Sequence, residues 1–277
     1  MRSDCHMHMI LDGLEWRSAI ARHKQQPDVA FIRRVLAIYR DMGVTYLRDG
    51  GDRWGAGAMA RQLAPEYGIT YRTPLAPLCM EGHYGAFIGR TYRDLREYAA
   101  LVEEQKAQGA DFIKIMISGL MDFDRFGVLT EEGLPPAIIR ELIHIAHEEG
   151  MAVMAHANGA RTVETAAEAG VDSVEHGAYL DEAALAAMEE AGTVWVPTLS
   201  TVGNLRGKGR FREEAVCAIL ENSLENLHNY KGLVAPGTDA GAWAVPHGSA
   251  TEEAILACAG IDGQRLEQGI AVVHKKF

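Results

Sequence analysis

What this chain lacks narrows its identity first. It has only four cysteines (Cys5, Cys79, Cys217 and Cys258), and no two of them have CxxC spacing. That argues against a disulfide framework and against a structural zinc knuckle. No apolar run is long enough for a membrane-spanning helix. No basic segment followed by an apolar one opens the chain, so no secretion signal is expected and a cytoplasmic location is the default. Positive charge is scarce too: 27 lysines and arginines against 38 aspartates and glutamates give a formal net charge of −11. Nucleic acid and anionic membrane both call for a basic face, so neither is expected as a partner, and a small-molecule substrate is. Proline- and serine-rich breaks are also missing, so one domain over 1–277 is expected.

What is present is a regular alternation. Short apolar strand-like runs occupy 2–8, 44–49, 69–75, 112–118, 151–157, 171–176, 193–199 and 233–239. Amphipathic stretches with helical spacing lie between them at 28–42, 92–108, 135–149, 162–169, 181–191 and 212–231. Several close on a glycine before the next strand (Gly43, Gly109, Gly150, Gly170 and Gly192), as helices commonly do. Such alternation implies parallel strands with right-handed crossovers. The expected fold is α/β, a distorted (β/α)8 TIM-type barrel. Long connections at 13–27, 78–91 and 118–134 all follow strands, on the side where such a barrel builds its site. The tail, 249–277, reads as terminal helix packed on the barrel, its last lysines solvated.

Six residues of metal-ligand type sit at strand ends: His6, His8, Lys114, His156, His176 and Asp239. Side chains alternate along a strand, so His6 and His8 point to one face, while Cys5 and Met7 are expected to face the helices. One histidine at a strand end is a weak signal. Six suitable residues at five strand ends are not, because parallel barrel strands converge at their C-termini. Imidazole and carboxylate suit zinc, manganese or iron, and ligand softness alone does not choose among them; zinc is the first expectation. Lys114 lies in an apolar run that favours its neutral amine. Such an amine can add carbon dioxide and become a carbamate able to bridge two divalent metal ions. The pair His144 and His147, followed by Glu148, lacks the order of a zinc-protease helix and reads as a solvated face.

In combination, several motifs resemble the amidohydrolase superfamily, in particular its imidazolonepropionase-like and prolidase-like branch. They are the His6-x-His8 opening, Thr45-Tyr46-Leu47-Arg48-Asp49-Gly50-Gly51, Glu81-Gly82-His83 and Gly109-Ala110-Asp111-Phe112-Ile113-Lys114. Val174-Glu175-His176-Gly177, Val196-Pro197-Thr198-Leu199 and Gly237-Thr238-Asp239-Ala240-Gly241 complete the set. The small β-sandwich usual in that branch has no counterpart here, so a bare barrel is expected, with room for a homo-oligomer.

The resemblance implies one metal on His6, His8 and Asp239, a second on His156 and His176, and N6-carboxylated Lys114 bridging them. It further implies a metal-bridged hydroxide as nucleophile, Asp239 as general base and then acid, and His83 as a polariser of the scissile carbonyl. Tyr179, Trp243, His247 and Arg48 are candidate substrate contacts, Asp49 a residue supporting the ligands, and Glu175 is expected to point away from the pocket. Asn204, Arg206, Lys208 and Arg210 could attract a substrate carboxylate, but a mobile surface loop is the preferred reading of that stretch. The implied reaction is hydrolysis of a C–N bond in a dipeptide, N-acyl amino acid or cyclic amide. Alternatives are a lactonase or phosphotriesterase on the same centre, then a deaminase or a non-catalytic metal-binding barrel.

Overall fold

A computed structural model describes residues 2–277. Nine short strands run through it: β1 (Arg2–Met7), β2 (Val44–Asp49), β3 (Thr70–Arg72), β4 (Leu78–Met80), β5 (Arg90–Tyr92), β6 (Ile113–Met116), β7 (Val153–Ala157), β8 (Ser173–His176) and β9 (Val194–Val196). Every pairing between them is parallel. They fall into two ladders, β1-β2-β3 and β5-β4-β6-β7-β8-β9.

Hydrogen bonds at two seams join the ladders into one ring. At the first seam, β3 and β4 are halves of one barrel strand, interrupted where Pro74 and Pro77 remove donors from the ladder. The Asp111 amide bonds the Thr73 carbonyl at 3.0 Å, and Leu78 then pairs with Ile115. At the second seam, segment 233–240 lies between β9 and β1. It accepts from Trp195 N at Leu233 O and from Cys5 N at Pro236 O, and it donates from Asp239 N to His6 O. The expected barrel of parallel strands is therefore present, with β5 outside the ring on the edge of β4.

The departures from expectation are local. The third strand is broken, and the eighth is held by isolated bridges (Trp195 to Val234, Met7 to Ala240) rather than a continuous ladder. Three helices were not legible as helical stretches, Trp16–His23, Ala56–Leu63 and the single turn Ser200–Gly203. The second begins where the Asp52 carboxylate accepts from the amides of Trp54, Ala56 and Gly57. Capping of this kind can start a helix whose own periodicity is weak.

Cys5 requires a correction. Asp4 pairs with Leu47 and Met7 with Asp49, so β1 spends three steps where β2 spends two. This bulge flips the alternation. Cys5 consequently turns into the floor of the ring with Phe112, Met154, Val196 and Ala235, whereas Met7 faces the helices beside Ile32 and Leu36. The tail forms two helices, Thr251–Cys258 and Gly263–Lys276. Phe277 tucks beneath the floor, its ring 5.2 Å from Phe112 and edge-on to it. Lys276 is not simply solvated, because it pairs with Asp172 at 2.7 Å. Among the described residues no helix is long and apolar enough to cross a membrane.

Candidate metal centre

Strand ends from across the ring meet at one point. His6 of β1 and His8, just beyond its end, bring their Nε2 atoms to 3.3 Å of each other. Asp239 Oδ1 lies 3.5 Å from His6 Nε2 and 3.2 Å from His8 Nε2. Lys114 Nζ is 3.2 Å from His6 Nε2. The rings of His156 and His176 are 4.5 Å apart, and His176 is 5.1 Å from His6. His6, His8 and Asp239 each offer a donor atom within 4.8 Å of the others. Lys114, His156 and His176 flank that trio.

The residues fit a divalent cation on their own chemistry. Asp239 Oδ1 and His8 Nδ1 are buried without a hydrogen-bond partner. His6 Nδ1 lies 2.6 Å from Glu175 Oε2. An ionised carboxylate only accepts, so Nδ1 carries the proton and Nε2 turns its lone pair to the cluster. His176 Nδ1 meets Thr198 Oγ1 at 2.7 Å, and His156 Nε2 meets the Gly119 carbonyl at 3.1 Å, leaving one nitrogen of each ring for a ligand. Burial, reinforced by Lys114, holds His6 well below the usual imidazole range and lowers His156 to about 3. Burial likewise holds His176 far down. All three are thus neutral, which is the ligand form. Burial also lowers Lys114 to about 8, against the pull of Glu175 and Asp239.

The backbone at these strand ends is strained where it must re-aim side chains. His176, Thr198 and Asp239 take positive φ values of 70°, 50° and 54°, conformations that are costly for residues other than glycine. The turn at His176 explains a second correction. Glu175 was expected to point away from the pocket, but it faces into the ring below the cluster, and His176 enters as well because positive φ breaks the alternation. Glu175 Oε1 accepts from Arg48 Nη2 at 2.8 Å and from Ser173 Oγ at 2.6 Å. Arg48 also donates to Ser173 Oγ and to the Cys5 carbonyl. Asp49, expected to support the ligands, accepts from Met9 N at 3.2 Å. Gly50 leaves the space His8 occupies, since a Cβ there would lie 2.6 Å from His8 Nδ1.

Above the cluster opens a cavity of about 420 Å³. Of the sequence candidates, Trp243 and Arg210 line it together with the cluster. Others are placed elsewhere. Arg48 is fully buried under the site, its guanidinium 4.4 Å from the Phe277 ring. His247 bonds the Leu11 carbonyl at 2.9 Å. Tyr179 packs edge-on against Phe126. His83 is clasped by Glu131, which also accepts from Tyr84 N at 2.9 Å. It is the neighbour, Tyr84, that enters the cavity, its ring 4.9 Å from His156. Trp16, Phe87 and Phe211 line the cavity too and were not singled out in the sequence. The available signal was their position in or beside the long connections that follow strands.

Comparison with known proteins agrees with this geometry. Residues 38–219 match the model of the amidohydrolase family. An ochratoxinase of Aspergillus niger is 27% identical over 188 residues, covering 64% of this chain and 36% of that protein. The match thus spans about a third of the curated relative's length. In structure, a Xaa-Pro dipeptidase with bound methionine in its active site superposes with a TM-score of 0.79 at 20% identity, over 99% of this chain and 75% of the other. The A. niger ochratoxinase structure gives 0.74 at 19% identity, over 98% of this chain and 68% of the other. A parallel barrel with histidines and an aspartate gathered at its strand ends, matched over most of its length by one family model, places this chain in the amidohydrolase family.

Proposed function

We propose that this chain hydrolyses an amide-type C–N bond of a small molecule at a centre of two divalent metal ions, zinc foremost. The observation that carries the proposal is the convergence of His6, His8 and Asp239, with Asp239 Oδ1 and His8 Nδ1 buried without a hydrogen-bond partner. His156 and His176 would hold the second ion. Lys114 would join the two as a carbamate: the unprotonated fraction of its Nζ, enlarged by burial, would bond the carbon of carbon dioxide and release one proton, leaving an anion with two oxygens. When bound, divalent cations supply Lewis acidity that activates water and polarises a carbonyl.

The chain's own groups then do the rest. Asp239 accepts the proton of the attacking water at Oδ1 and returns it to the leaving nitrogen. Glu175 fixes the His6 tautomer through Nδ1. Tyr84, which lines the cavity with its ring 4.9 Å from His156, would donate its phenol to the substrate carbonyl in place of His83. The ochratoxinase and dipeptidase similarities support an amide-type bond.

The test is to load the protein with zinc or manganese plus ¹³C-bicarbonate and to screen amides, lactones and phosphotriesters. A carbamate carbon signal, roughly two metals per chain and turnover of an amide series are expected, all lost in Lys114→Ala. Full metal content and turnover in that variant would sink the carbamate. Turnover of lactones or phosphotriesters alone would move the reaction to another class.

A further inference from the structure

The end of the ring opposite the cavity is crossed by one helix, Gly263–Lys276. Near its start Arg265 donates to the Gly232 carbonyl, just ahead of segment 233–240. Gly269 then lies so close to that segment that a Cβ there would sit 2.0 Å from Val234 O. Farther along, His274 meets Ser3 Oγ of β1 at 3.1 Å, and Lys276 pairs with Asp172, just before β8. These contacts lie at the strand starts on different sides of the ring. A helix tied at all of them delivers its last side chain beneath the barrel axis, and there Phe277 is buried.

From Phe277 a column of buried polar groups rises to the cluster. The ring presents its face to Arg48, whose guanidinium carbon lies 4.4 Å from the ring centre. Arg48 spends Nε on the Cys5 carbonyl, Nη1 on Ser173 Oγ and Nη2 on Glu175 Oε1. Glu175 reaches upward with its other oxygen and holds His6 Nδ1 at 2.6 Å. Arg48, Glu175 and His6 are all fully buried. A desolvated cation gains most from an aromatic face, because no solvent competes for it. Without the ring, the floor would open beneath Arg48. Water entering there would draw the guanidinium down and loosen its hold on Glu175.

We propose that Phe277 is a positioning residue for the metal centre: stacked under Arg48, it fixes the column Arg48–Glu175–His6 and so keeps the His6 Nε2 lone pair turned to the cluster. The consequence for metal rests on the two-metal reading above, whereas the tautomer of His6 can be read with no metal bound. Phe277→Leu keeps a buried apolar side chain but has no π face. Pentafluorophenylalanine at position 277 keeps the shape of the ring and reverses the charge of its face. Arg265→Met is the control, since it loosens the other end of the same helix away from the axis. Zinc affinity is measured by competition with a chromophoric chelator, the histidine ring tautomers by ¹⁵N NMR of the full chain in chelator at neutral pH, and unfolding temperature alongside.

Phe277→Leu and Arg265→Met are both expected to unfold at lower temperature than the wild type. Only the changes at position 277 should weaken zinc, by about tenfold, and move His6 from a single Nδ1–H tautomer to a mixture. The fluorinated ring should do so with the smaller loss of unfolding temperature, and it carries the test if Phe277→Leu fails to fold. Zinc affinity within about twofold of wild type together with an unmoved His6 tautomer overturns the proposal. So does an equal loss of zinc in Arg265→Met, which would make the helix a support and nothing more. A tautomer that shifts as expected, in a protein that binds zinc but turns over no amide, would overturn the hydrolase reading and leave the column standing. Amide turnover by the wild type with no change at His6 in either position-277 variant would do the reverse.

Discussion

Replacing Glu175 by glutamine should damage the centre from below without touching the cavity. The side chain is fully buried, with one oxygen 2.8 Å from Arg48 Nη2 and the other 2.6 Å from His6 Nδ1. Glutamine keeps the volume but removes the charge that balances Arg48, itself 0% exposed. Breaking one partner of a buried pair costs about 3–5 kcal/mol, because the other charge is left uncompensated. Residual hydrogen bonding by the amide places the expected loss near the lower end, about 3 kcal/mol. In a chain of this size that is a fall of roughly 5 °C in unfolding temperature. The second effect is on the tautomer. The glutamine amide can present a donor to His6 Nδ1, moving the ring proton to Nε2 and removing the lone pair that faces the cluster. Loss of such a supporting partner weakens metal affinity about 10- to 100-fold.

Bound metal itself stabilises the fold by mass action, so stability is measured by urea unfolding in chelator and zinc affinity separately by competition. Ser173→Ala is the graded control. It removes a hydroxyl that donates to Glu175 at 2.6 Å and accepts from Arg48 at 3.0 Å, and it should cost about 1 kcal/mol with little effect on zinc. If Glu175→Gln keeps zinc affinity within about twofold and stability within about 1 kcal/mol, Glu175 neither balances Arg48 nor sets the His6 tautomer.

Three further outcomes are expected. Gly50→Ala would drive a methyl into the His8 imidazole, so zinc affinity should fall at least about tenfold with a stability loss of about 1–3 kcal/mol; unchanged zinc affinity would mean that His8 is free to move aside. Burial raises Glu252 to about 7, and the group accepts from the amides of Leu199 and Ser200. The folded protein therefore binds its proton more tightly than the unfolded chain, whose Glu titrates near 4.5. This contribution is full below about pH 4.5 and is lost as pH rises through about 7, by roughly 3 kcal/mol in all. Wild type should thus lose stability relative to Glu252→Gln between pH 5 and pH 8, and a pH-independent difference would remove the assignment. Finally, Tyr84→Phe should lower kcat for the best amide about 10- to 100-fold at little cost in KM, whereas His83→Gln should act weakly; the opposite ranking would restore His83 as the polarising group.

Much of this protein was legible in its sequence because barrels translate order along the chain into position around a ring. Strands in register, with their C-terminal ends on one side, must bring end residues together, and so His6, His8, Lys114, His156, His176 and Asp239 group by their sequence positions alone. The broken third strand and the helix Ala56–Leu63 were not legible, since prolines and a single capping aspartate act locally and leave no period.

The sequence by itself determined the alternation, the parallel ring and the identity of the clustered residues. Tertiary structure alone decided where the side chains beside them point. A one-residue bulge in β1 turned Cys5 into the floor, and a positive φ at His176 let that side chain enter beside Glu175, which regular alternation with Ser173 had already placed inside to hold His6. The clasp of Glu131 on His83 left Tyr84 in the cavity. Each depends on partners tens of residues away and on a backbone angle that neighbouring residue types do not dictate. A period of two predicts the face of a strand residue only while the strand stays regular, and near this centre it does not.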